Sequence, residues 1–145
     1  MTIRTTMSEV VATASPQETI RAAAARMAAN ELGSLVVVQP GDGGKPVGIL
    51  TDRDVMTRCV ATGVDPDAGL VLSIMSQPVH CITEHAPIDE ALGRMAKFGT
   101  RRLVVVNDTG AVAGVLSLDD ILLELAEEAG QIEALLAKQH PLVHA

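Results

Sequence analysis

Residues 7–38 and 75–106 of this chain say nearly the same thing. Laid 68 positions apart, twelve of the 32 pairs are identical, where random pairing in an Ala/Val-rich chain gives about two to four. Met7-Ser8 falls on Met75-Ser76, Ile20 on Ile88, Arg26-Met27-Ala28 on Arg94-Met95-Ala96, and Leu35 to Val38 on Leu103 to Val106. After a loop two residues shorter in the second copy, Gly48-Ile49-Leu50-Thr51 falls on Gly114-Val115-Leu116-Ser117, and Asp54 on Asp120. The chain is therefore expected to be two copies of one small unit, with its function between them. The expected boundaries are 1–66 for the first repeat with its N-terminal segment, 67–128 for the second, and 129–145 for a C-terminal helical extension and tail.

A unit of about 60 residues is marginal alone, so the copies are expected to share a core and to fold together. Phe98 is the one aromatic residue in 145, which leaves Ala, Val, Leu, Ile and Met to build that core and removes the stacking platforms that single-stranded nucleic acid requires. The formal charge of −7 argues against a general grip on polyphosphate, though not against a local basic pocket for one small anion. No nucleic-acid partner is expected. Cys59 and Cys81 occupy non-equivalent positions and form no CxxC pair, so both are expected as reduced thiols. The N-terminus lacks an apolar signal core, and no apolar run is long enough to span a bilayer. The expectation is a cytoplasmic chain without a membrane partner.

Within each copy the patterning predicts β-α-β-β-α. Short β-prone stretches, Val10 to Thr13 and Val79 to Thr83, precede one-faced helices in which Ile20, Ala23, Ala24 and Met27, then Ile88, Ala91, Leu92 and Met95, recur at i, i+3, i+4 and i+7. Pro87 suits a first helical turn, and Ser15-x-x-Glu18 is expected to help the chain enter the earlier helix. Hairpins follow, Ser34–Gln39 with Pro46–Leu50 and Arg102–Asn107 with Val112–Leu116, around Gly-rich turns. The second helices are expected over about 52–61 and from Leu118 to about Lys138, the latter with a weak point at Gly130. Residues 62–74 read as a linker.

Each hairpin ends in Gly-h-h-[Ser/Thr]-x-x-Asp, where h is apolar. This is a capping box, in which hydroxyl and carboxylate satisfy orphan amides of a helix start. The same geometry also suits a ligand: amides at a helix N-terminus favour phosphate, and a carboxylate can accept from a ribose diol. Both roles can coexist. Arg101-Arg102 stands before the central strand of the second copy, where the first has Gly33-Ser34, and guanidinium forks match phosphate. Arg53 lies inside the first capping turn. His80, His85, His140 and His144 lack zinc-type spacing, so no metal site is expected. No Walker loop, GxGxxG or Ser-His-Asp order is present, and no enzyme is expected.

On these motifs the chain resembles tandem cystathionine-β-synthase-type (CBS) repeats, the Bateman module, over about residues 5–126. Residues 100–125 are similar to the last repeat of the γ regulatory subunits of AMP-activated protein kinase. The resemblance implies an α/β fold of two βαββα units with pseudo-two-fold symmetry and two clefts. One would use Ser8, Val11, Thr13, Arg101, Arg102, Val115, Ser117 and Asp120, the other Thr51, Arg53, Asp54, Ser76, Val79 and Cys81. The implied ligand is an adenosine nucleotide, AMP or ADP foremost and ATP as a further regulatory ligand, with no cofactor required. Implied partners are a second copy of the chain, as a homodimer, and a protein target that receives the signal. Because Arg101 and Arg102 belong to the second repeat, the Ser117 and Asp120 cleft is expected to bind more tightly, with Asp119 opposing it. The rival reading is a nucleotide-independent interaction module whose capping boxes are only caps.

Overall fold

The first helix of each repeat starts where the backbone is already extended and its leading amides are relieved. Thr19 caps α2 (Ile20–Ala29), its hydroxyl accepting the Ala22 N–H at 3.2 Å. Pro87, with no N–H to lose, immediately precedes α5 (Ile88–Phe98), which Gly99 ends in the left-handed conformation at φ 63°. Ser15 and Glu18 meet just upstream, at 3.2 Å from the Ser15 N–H to Glu18 Oε2, so that pair shapes the approach and Thr19 does the capping. In the computed structural model, residues 1–10 and 12–139 are described; Val11, His140, His144 and the rest of the expected tail lie outside them.

Ahead of these helices lie α1 (Ile3–Thr6), β1 (Ser8–Glu9) and β2 (Thr13–Ala14). The first repeat continues from α2 through β3 (Ser34–Val38), β4 (Pro46–Thr51) and the helical turn α3 (Asp52–Asp54). The second has α4 (Val71–Ile74), β5 (Cys81–Thr83), α5, β6 (Arg102–Val106), β7 (Val112–Ser117) and α6 (Leu118–Gln139). Strand β3 pairs parallel to β2 and antiparallel to β4; β6 pairs parallel to β5 and antiparallel to β7. Both hairpins shift register at the same step, between Val37 and Val38 and between Val105 and Val106. The duplication thus extends to irregularities of the ladder.

The core is not one shared body. Leu35, Val37 and Leu50 gather the first cluster with Ile20, Ala23 and Met27; Leu103, Val105 and Leu116 gather the second with Ala91 and Met95. What joins the repeats is an exchange of leaders. Val71, Ile74 and Met75, sequence neighbours of the second repeat, are buried in the first cluster, while Ile3, with Met7 against it, is buried in the second. Strand β1 adds to the edge of β7, so the second repeat's sheet runs β1-β7-β6-β5, and Ser76 bridges to Ile49 on β4.

Gly48 and Gly114 make these crossings possible. A Cβ on Gly48 would lie 2.7 Å from Met75 Sδ, and one on Gly114 would lie 2.6 Å from the Ser8 carbonyl oxygen and 2.7 Å from Met7 Sδ. The glycine that opens the repeated signature is therefore a contact point for the exchanged leader.

The stretch expected as a helix over 52–61 becomes a π-helical segment over Val55–Val60 after α3. The Ala61 and Val64 amides reach back to Met56 and Cys59, while the Thr57 and Thr62 hydroxyls each donate at 2.8 Å to the carbonyl four residues earlier. Threonine hydroxyls thus compete for carbonyls of the segment, the back-bonding that weakens and bends regular helix. Part of the expected linker is helical, as α4. Helix α6 runs through Gly130 without a break.

Candidate functional site

Each capping turn opens onto a cleft whose opposite wall comes from the other repeat's leader. The first cleft, about 290 Å³, is lined by Thr51 and Asp54 from the first repeat and by Ser76, Pro78, Val79 and His80 from the second. Its pseudo-symmetric counterpart, about 270 Å³ with a side recess of about 70 Å³, is lined by Ser117, Asp120 and Val115 from the second repeat and by Ser8 from the first. Thr51, Asp54, Ser76 and Val79 are therefore together, as are Ser8, Val115, Ser117 and Asp120.

Three expected residues lie elsewhere. Arg53 borders a separate outward depression with Asp52, Met56 and Thr57, because it projects from the capping turn on the side away from the cleft. Thr13 and Cys81 hold equivalent strand positions that line neither cleft; their carbonyls instead accept from Arg26 Nη1 at 2.9 Å and Arg94 Nη1 at 2.6 Å. The repeated helix arginine thus fastens its own repeat's opening strand.

The two capping turns differ. Thr51 Oγ1 accepts the Asp54 N–H and Asp54 Oδ2 accepts the Thr51 N–H, both at 3.0 Å, which completes the box. Asp54 is 7% exposed, and Arg58 stands 3.7 Å from its other oxygen. Arg58 also donates to the Ile74 carbonyl at 3.1 Å and to Ser76 Oγ at 3.3 Å, so it fixes the exchanged leader to the turn. In the second repeat the Ser117 hydroxyl accepts the Asp120 N–H at 3.0 Å, and among the described residues no donor takes up the Asp120 carboxylate. That carboxylate is available to a diol.

Arg101 and Arg102 do not belong to one cleft. Both line the Thr51 cleft and both line the Ser117 cleft, a placement that departs from the expected assignment to the Ser117 side alone. The reason is topological. The strand-entrance residues Thr100, Arg101 and Arg102 border the Thr51 cleft as Leu32, Gly33 and Ser34 border the other, and the long guanidinium stems then reach across. Arg102 reaches as far as Gly33: a Cβ there would sit in ordinary van der Waals contact, 3.8 Å from Arg102 Nη2. Arg101 Nη2 donates to Asp119 Oδ1 at 2.7 Å. The Ser117 cleft carries Glu31, Asp119 and Asp120 around the pair, whereas the Thr51 cleft carries Asp54 and His80. The Thr51 cleft is the more electropositive.

His80 has its own support, stacked on Phe98 with ring centroids 4.1 Å apart. Weighed only as a metal ligand in the sequence, it is instead a cleft wall, and the single aromatic residue holds it. Burial pushes the Cys81 thiol above the ordinary thiol range, opposed by the nearby Arg94; Cys59 is buried and free. Away from both clefts, His85 Nε2 lies 3.5 Å from Glu84 Oε1 and 3.3 Å from Asp108 Oδ1, the one group of metal-ligand types that converges among the described residues. Among the described residues no helix is long and apolar enough to cross a membrane.

Comparison with known proteins agrees with this architecture. The CBS domain model matches residues 3–61 and 71–127. The chain is 39% identical over 112 residues to uncharacterized protein MK0525 of Methanopyrus kandleri, covering 77% of this chain and only 56% of that protein. It is 31% identical over 142 residues to the CBS domain-containing protein YhcV of Bacillus subtilis, covering 98% of each. Among solved structures, the CBS domain protein PAE2072 from Pyrobaculum aerophilum complexed with AMP superposes with a TM-score of 0.71 at 31% identity, over 88% of this chain and 99% of that one. With two family matches in tandem, exchanged leaders and a pair of pseudo-symmetric clefts, the chain belongs to the CBS domain family as a CBS pair.

Proposed function

We propose that the chain is a non-catalytic regulatory module that binds an adenosine nucleotide, AMP or ADP foremost, in the clefts between its repeats and passes occupancy to a protein target. The observation that carries this reading is the meeting of two capping turns with one arginine pair: each turn offers a hydroxyl and a carboxylate, and the guanidinium groups supply phosphate donors. The AMP complex of PAE2072 supports it. Net charge favours the Thr51 cleft for the phosphate, and the uncommitted Asp120 carboxylate favours the Ser117 cleft for the ribose.

The module acts as a homodimer. Leu122, Leu125, Ile132 and Leu136 are exposed on α6, and with Ala129 they follow the 3–4 spacing that seats one helix against another. A second copy of the same helix fits that stripe.

A thermal-shift series with AMP, ADP, ATP and adenosine tests the ligand reading. A ligand at a hundred times its Kd adds about 2.7 kcal/mol to a folded state that alone binds it, which gives a clear rise in melting temperature. No rise with any adenosine compound at millimolar concentration would transfer the chain to the nucleotide-independent interaction reading, which the complete Thr51 to Asp54 cap favours.

A further inference from the structure

We infer that Arg101 and Arg102 are one anion-binding element held in common by the two clefts, so that a phosphate in either cleft weakens phosphate binding in the other. The inference rests on the reading of the clefts as nucleotide sites and adds how they regulate each other.

The geometry carries it. The two clefts have separate capping turns, separate hydroxyls and separate carboxylates, yet the same two guanidinium groups border both. No equivalent basic pair exists in the first repeat, where Gly33 and Ser34 take the corresponding positions. A guanidinium that grips a phosphate in the Thr51 cleft bidentately commits that pair of donors, and the best-aligned edge of its plane, to that cleft and away from the Ser117 cleft. Phosphates reached by the same side chains also lie close enough for incomplete screening, the Debye length being about 8 Å at physiological salt. What remains around the Ser117 cleft after the pair has turned is Glu31, Asp119 and Asp120, which repel a second anion. The ion pair between Arg101 and Asp119 marks the position from which Arg101 is drawn.

A ligand without phosphate makes no demand on the pair. Adenosine therefore fills the two clefts independently, while AMP fills them in sequence, the second molecule held more weakly by about tenfold to a hundredfold, the loss that follows from one charge-assisted contact.

Calorimetric titration of the full chain decides this by linkage. Val79→Trp fills the Thr51 cleft, and Gln77→Trp at the same rim serves as a second blocking variant should the first fold poorly. If the clefts share the arginines, blocking the Thr51 cleft tightens AMP at the remaining site by about tenfold or more over the weak site of the wild type, and adenosine at that site is unchanged. If the remaining site keeps the weak wild-type affinity for AMP, or if wild type titrates with two equal AMP sites, the sharing is wrong although the chain binds nucleotide. Arg101→Gln combined with Arg102→Gln must abolish the difference between AMP and adenosine; a surviving difference also overturns it. Wild type that binds neither AMP nor adenosine overturns the nucleotide reading itself, and the coupling with it.

Discussion

Arg101 donates to Asp119 across 2.7 Å, tying the approach to β6 to the first turn of α6. Both side chains are well exposed, so the pair adds under about 1 kcal/mol to folding. Its effect falls on ligand affinity. Asp119→Asn releases a phosphate donor and removes a repelling charge, and AMP is expected to bind about threefold to tenfold more tightly with an unchanged melting temperature. Unchanged or weaker affinity by calorimetry would remove Asp119 from the account of the site.

Gly48→Ala and Gly114→Ala test the exchanged leaders. The Gly48 substitution meets chiefly the flexible end of Met75, whereas the Gly114 substitution meets the Ser8 backbone at 2.6 Å. Overpacking costs about 1–3 kcal/mol, and Gly114→Ala is expected to cost more than Gly48→Ala in urea unfolding. Equal and negligible costs would mean the crossing strands yield freely.

A fragment of residues 1–66 lacks Val71, Ile74 and Met75, three members of its own core. It is expected to show little cooperative unfolding by circular dichroism, and a fragment of residues 1–76 to be clearly more stable. If the shorter fragment unfolds as cooperatively as the longer one, those leader residues contribute nothing that matters.

The dimer is tested at α6. Ile132→Glu with Leu136→Glu places charges in the proposed helix seam and should convert a dimer into a particle near the 15.1 kDa of one chain by light scattering. A wild type that already scatters at that mass at every concentration excludes the dimer.

The Cys81 thiol gives a pH dependence with a fixed sign. Its raised value in the folded chain, caused first by burial, means that the neutral thiol is the form folding favours. Its contribution to stability is complete below the ordinary thiol range and is lost as pH climbs through that range towards the raised value. Iodoacetamide at pH 7 is accordingly expected to modify Cys81 more slowly than a free thiol; modification at the free rate contradicts the burial.

The duplication was legible because it is written in identical residues, and the hairpins because β-branched runs flank Gly-rich turns. The helix faces were legible in part: Ile20, Ala23 and Met27 are buried as the spacing requires, while Leu92 stands exposed. Periodicity fixes a face but not its width. The π-helical segment was hidden because the threonine back-bonding that accompanies it leaves no periodic trace. The exchanged leaders were hidden for a different reason. Val71 and Ile3 look like ordinary apolar residues beside their own repeats, and only the three-dimensional crossing shows that each serves the other. The same crossing misdirected the arginine assignment, since repeat membership is not cleft membership. Sharing by one side chain cannot be read from sequence spacing at all.

The leader exchange at Gly48 and Gly114 also bears on how such a chain can be cut and rejoined. A break in the segment between the repeats leaves two pieces, each carrying the complement the other lacks, so the pieces are mutual ligands rather than independent folds. Mixed together they are expected to reassemble, and the strength of that reassembly is open to tuning through residues such as Met75 and Ile3 that line neither cleft. The chain is thereby suited to a split reporter, in which recovery of the clefts reads out the meeting of its halves.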